Sequence, residues 1–106
     1  MSGVYDDWAD ERRAFYAEQF GRVVSAQAKL AYAEKRWTAA LKSAQEALKY
    51  DPFREDIHRI VMKTLAAQAK PAAVKKHFDD LASLLNSELG IEPAAETRRL
   101  YKQLLN

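Results

Sequence analysis

Moved along itself by 34 residues, the chain lays Ala28 on Met62, Ala31 on Leu65, Ala40 on Val74, Ala44 on Phe78 and Ala47 on Leu81. A period in the range of roughly 20 to 50 residues marks stacked supersecondary units, none of which can bury its apolar face alone. Helices are the element this sequence offers to such a unit. It has 19 alanines and 11 leucines, both strong helix formers, and few valines, isoleucines and threonines. No stretch alternates apolar and polar residues long enough for a strand. The expected class is therefore all-α: five helices, paired as hairpins into an α-α superhelix, with no sheet.

Apolar spacing and the punctuating residues place the helices. The first should start near Asp6 or Asp7, whose carboxylates cap free amides and favour the positive helix end. It should run for about 28 residues, near 42 Å at about 1.5 Å per residue. Its apolar stripe reads Trp8, Phe15, Phe20, Val23, Val24, Leu30 and Ala31. Gly21 inside it costs about 1 kcal/mol relative to alanine, which close helix packing would offset. A second helix, Trp37 to Tyr50, gathers Trp37, Ala40, Leu41, Ala44, Ala47 and Leu48 on one side. Asp51-Pro52 stops it, since proline disfavours the helical conformation in the residue before it. A third, Arg54 to Ala69, buries Ile57, Ile60, Val61, Thr64 and Leu65. Pro71 suits the first turn of a fourth, which presents Val74, Phe78, Leu81, Leu85 and Leu89. Gly90 closes it in the left-handed conformation with Ile91 folding back. After Pro93 a short fifth helix carries Leu100, Tyr101 and Leu104.

Charge narrows the function classes. The chain has 17 Lys and Arg against 15 Asp and Glu over 106 residues, a size one core can hold together. The doublets Arg12-Arg13, Lys75-Lys76 and Arg98-Arg99 sit beside Asp10 and Glu11, Asp79 and Asp80, and Glu96. Phosphate binding wants cations massed on one face, so direct nucleic-acid binding by this chain is not expected. No run approaches the roughly 20 apolar residues of a membrane span, and no signal-peptide pattern opens the chain. With no cysteine, disulfides and thiolate chemistry are excluded and the cytoplasm is the default compartment.

Catalytic arrangements are missing from the pattern. The two histidines, His58 and His77, fall on different helices. Glu55 and His58 form one Glu-x-x-His pair, whereas a di-iron bundle needs two, and Val74 stands where the second glutamate belongs. His58 reads as a structural histidine near the start of the third helix. Ser25, Ser43, Ser83 and Ser87 lie within or near the ends of helices rather than on a strained turn, and no phosphate-cradling glycine loop exists. No catalytic, cofactor or metal residue is assigned, and no enzyme activity is expected.

With Pro52 on the usual proline site, the 34-residue register resembles the tetratricopeptide repeat. Ala28, Ala40 and Ala47 fall on its small positions, while Met62, Val74 and Leu81 replace them in a degenerate second repeat whose hairpin should be more open. Three runs resemble a narrower family: Tyr5-Asp6-Asp7-Trp8 followed by Glu11-Arg12; DPFREDIHRIVM, Asp51 to Met62; and SELGIEPAAETRRLY, Ser87 to Tyr101. Together they are similar to the bacterial transcriptional activator domain, the tetratricopeptide-like part of antibiotic-regulatory-protein-type regulators. The family-signature positions are Trp8, Asp51, Pro52, Glu55, His58, Leu89, Gly90, Glu92, Pro93 and Leu100. The resemblance implies a domain over residues 5–105 preceded by a leader at 1–4, excised from a longer signal-responsive or two-component regulator or unusually short. It implies protein partners: an adjoining DNA-binding domain absent from this chain, a second copy, or the transcription machinery. The alternative is a free-standing adaptor that binds a peptide segment. Lys35 and Ala69 depart from the family's turn glycines, so those turns should change shape or carry strain. Ala94 departs from its usual cap, which predicts a frayed start to the fifth helix.

Overall fold

The computed structural model describes residues 2–106, with side chains from Asp10 onward. Five helices follow in order: α1 (Ser2–Ala33), α2 (Trp37–Tyr50), α3 (Glu55–Ala67), α4 (Pro71–Leu89) and α5 (Ala95–Leu105). There is no strand among the described residues, so the class is all-α. α2 and the start of α4 fall where the sequence places them, and α3 is three residues shorter than expected. α1 begins ahead of Asp6 and Asp7 and is 32 residues long. The capping roles expected of those two aspartates, and the place of Trp8, lie outside the described side chains.

The 34-residue period is written in the backbone. At the end of α1 the Lys35 amide donates to the Tyr32 carbonyl at 3.0 Å and the Arg36 amide to Ala31 at 2.9 Å. At the end of α3 the Ala69 amide donates to Ala66 at 3.0 Å and the Lys70 amide to Leu65 at 3.0 Å. Both pairs form the double bond of a Schellman cap. That cap needs a left-handed residue, and Lys35 and Ala69 supply it at φ 59° and 58°. The turns therefore keep the glycine shape and carry a strain of about 1–2 kcal/mol each.

Packing follows the residue sizes. Ala28 and Ala31 of α1 meet Ala40, Ala44 and Ala47 of α2, all buried. A methyl group on Gly21 would stand 3.2 Å from Tyr50 Cβ, so close approach does account for this glycine. In the second hairpin Met62, Leu65, Val74 and Leu81 fill the equivalent positions. α3 and α4 accordingly share a smaller contact than α1 and α2 do, in keeping with a more open hairpin. α4 also outruns the shorter α3. Leu89 on its last turn is therefore half exposed, where burial was expected, and Leu85 is the last buried residue of that helix.

α5 closes the core. Tyr101 stacks on Phe78 with ring centroids 4.0 Å apart, and Thr97 is fully buried. Ala94 offers no capping side chain, yet the helix start is fastened from outside. Glu55 Oε1 accepts the Ala94 amide at 2.9 Å, and Arg59 donates to Thr97 Oγ1 at 2.9 Å. The free first turn expected from Ala94 is replaced by a cap that α3 supplies.

Candidate functional site

α1 carries two apolar faces. Gly21, Val24, Ser25, Ala28 and Ala31 are buried, a stripe of small residues on a helical period. Phe15, Tyr16, Phe20, Val23 and Leu30, most of which were expected to point inward, are 50–59% exposed. The reason is steric. The 3.6-residue period allows two adjacent readings, Val23 with Leu30 or Val24 with Ala31, and an interface built around Gly21 and three alanines of α2 has room only for the smaller set. Phe20 packs on Tyr50 at 5.2 Å between ring centroids, and the pair borders a shallow hollow of about 580 Å³ with Tyr16 and Val23. Tyr16 and Tyr50 were not singled out from sequence; the signal available was the sorting of large and small residues onto opposite sides of one helix.

A polar cluster joins α1 to the α2–α3 turn. Arg54 donates to Ser25 Oγ at 2.6 Å and makes two bonds to Asp56, at 3.2 and 2.7 Å. Lys29 reaches Asp56 at 3.1 Å. Partial burial pushes the Asp56 carboxyl up, but Arg54 and Lys29 outweigh it and hold the group below its ordinary value. Asp51 Oδ1 accepts the Phe53 amide at 3.0 Å, fixing the turn that stops α2.

The two histidines come together although 19 residues separate them. His58 Nε2 stands 2.7 Å from the Pro52 carbonyl and its Nδ1 stands 2.9 Å from His77 Nε2. The carbonyl can only accept, so His58 donates from Nε2 and accepts at Nδ1 from His77. Burial lowers the pKa of both, and the neighbouring ring helps bring His77 to about 4. Among the described residues no three histidine, aspartate or glutamate side chains gather as metal ligands.

Four of the ten signature positions cluster around the same turn. Asp51, Pro52, Glu55 and His58 tie α2, α3, α4 and the start of α5 to one another by the bonds above. Gly90 closes α4 at φ 64°, Pro93 is buried and Leu100 is half-buried. Glu92 meets Arg98 at 3.8 Å on the surface, and Leu89 faces solvent. A second groove, about 260 Å³, runs between α3 and α5 with Arg59, Lys63, Arg99 and Glu96 on its walls. Lys63 also lies 4.8 Å over the Tyr32 ring.

No described helix is long and apolar enough to cross a membrane. Neither the curated proteins nor the solved structures contain a match to the chain. The family model described as "Bacterial transcriptional activator domain" matches residues 1–105. That span takes in both hairpins and α5, the 34-residue backbone repeat and the cluster around Pro52. The chain thus belongs to the bacterial transcriptional activator domain family, whose members are regulatory domains of transcription activators rather than enzymes.

Proposed function

We propose that this chain is the protein-interaction domain of a bacterial transcription regulator, working in the cytoplasm beside a DNA-binding domain and exerting its effect through docking or self-association. The observation that carries this reading is the outward face of α1. Five large apolar side chains stand half exposed on a helix that turns mainly small residues, with Val24 and Tyr32, toward the core, and soluble domains keep such patches for partners. Acids and bases are interspersed along the sequence rather than massed by sign, and DNA contact is assigned to the neighbouring domain. No catalytic role is assigned to any residue. The signature residues from Asp51 to His58 act by holding the helices, and with them the α1 face, in place.

Tethering tests the reading directly. Fused to a heterologous, constitutively dimeric DNA-binding domain, the chain should change transcription of a reporter carrying that domain's operator. The double change Phe20→Asp with Leu30→Asp should abolish the effect at equal protein level. A tethered chain without influence on the reporter would count against a regulatory role. The adaptor reading rests on a different observation, the groove carrying Arg59, Lys63 and Arg99. It is favoured if Lys63→Glu with Arg99→Glu, and not the α1 changes, removes whatever binding partner is found.

A further inference from the structure

The repeat itself says what kind of surface the α1 face is. Val23, Gln27 and Leu30 are exposed, and 34 residues on stand Ile57, Val61 and Thr64, all buried. α1 and α3 hold the same place in successive hairpins, but α3 touches α1, α2, α4 and α5, whereas α1 touches α2 and α3 among the described residues. The outward face of α1 is thus the face that the second hairpin closes with helices and the first leaves open. A solenoid that ends freely in water carries polar residues there. This one carries Phe15, Tyr16, Phe20, Val23 and Leu30.

We infer that a second copy of this chain covers that face, the two α1 helices packing antiparallel about a two-fold axis near Val23. This rests on the reading of the domain as an interaction module and names its partner. Charge selects the direction. Arg12 and Glu34 lie on the same stripe, eleven residues to either side of Val23, and Tyr16 and Leu30 lie seven to either side. An antiparallel pair sets each Arg12 against the other copy's Glu34, and each Tyr16 against the other copy's Leu30. A parallel pair would set Arg12 on Arg12 and Glu34 on Glu34. Within one chain Arg12 lies over the Tyr16 ring and Glu34 meets Arg36 at 3.3 Å. The Glu34–Arg36 pair is exposed and can exchange for a contact to the second copy. The five half-exposed side chains offer roughly 500 Å² per copy, taking about 100 Å² for each. Two copies together reach the threshold of about 1,000 Å² at which specific interfaces begin.

Sedimentation of the full chain at about 100 μM, above the micromolar constants expected of a modest interface, should give twice the monomer mass. Phe20→Asp with Leu30→Asp should return it to the monomer with unchanged helical circular dichroism, since neither side chain serves the core. Because the chain has no cysteine, direction can be read by oxidation. Tyr16→Cys mixed with Leu30→Cys should give a disulfide-linked heterodimer, and Tyr16→Cys alone should not cross-link. A chain that stays monomeric, a dimer that survives both aspartates, or a Tyr16→Cys homodimer overturns the proposal. Monomeric behaviour combined with a working tethered reporter would hand the α1 face to another domain of the regulator and leave the regulatory reading standing.

Discussion

The two hairpins share a backbone and divide their volume in opposite ways. The first brings α1 and α2 together on glycine and alanine, and leaves Phe15, Tyr16, Phe20, Val23 and Leu30 of α1 outside. The second places Met62, Leu65, Val74 and Leu81 between α3 and α4, which stand less closely packed. Identical turn bonds 34 residues apart show that the fold is set by where each helix stops, not by what fills the space between helices. A hairpin of small residues is close but holds little apolar area, and one of large residues is looser but supplies most of the core. The first hairpin is therefore the surface-presenting half and the second the stabilising half.

The contrast can be broken from its strong side first. Met62→Ala should cost about 2–5 kcal/mol, because a fully buried side chain leaves a cavity among well-packed neighbours; the denaturant midpoint measures it. The next effect is confined to the second hairpin, since Val24 and Ser43 stand where a 34-residue shift would look for His58 and His77. Folded His77 titrates at about 4, below its ordinary value of 6.5. The unfolded chain thus binds the proton first, and stability is full above pH of about 6.5 and lost as the pH falls towards 4. The loss should approach 2–3 kcal/mol at most, reduced by the ring's residual contact with water. His77→Gln should flatten that slope in urea titrations, and an unchanged slope would place the proton elsewhere.

Overfilling the small hairpin comes third. Ala44→Leu should cost about 1–3 kcal/mol as α1 and α2 are forced apart, and a thermal melt at the wild-type midpoint would remove Ala44 from the contact. Lys35→Gly and Ala69→Gly should each gain about 1 kcal/mol by relieving a left-handed residue. Equal gains at the two sites would confirm that the turns are one structure used twice. The smallest effect belongs to the outward face. In dilute monomer, Leu30→Ser should shift the unfolding free energy by less than about 0.5 kcal/mol; a larger loss would mean the side chain serves the core after all.

Sequence reading reached the helix count, the 34-residue period and the inward faces of α2 and α3, because each rests on local spacing or on a proline or glycine that stops a helix. It misassigned α1, where two stripes one residue apart are equally apolar and only the alanines of α2 decide which turns inward. The His58–His77 contact and the Glu55 cap on Ala94 join residues 19 and 39 apart, and no helical period relates such pairs. The signature residues were legible as a pattern before their work was visible. Asp51 and Gly90 shape turns by rules of local conformation, whereas Glu55 acts on a helix that lies far along the chain.

That last bond bears on the order of assembly. α5 has 11 residues, too few to hold a helix alone in water. Its first turn is completed by Glu55 and Arg59, one turn apart on α3, so residues 95–105 become helical only against a finished α3 surface. During synthesis the segment is a passive tail until the second hairpin exists. In the mature protein its amides should exchange with solvent whenever α3 opens, and proteolysis just before Ala95 would serve as an early sign that α3 has begun to unwind.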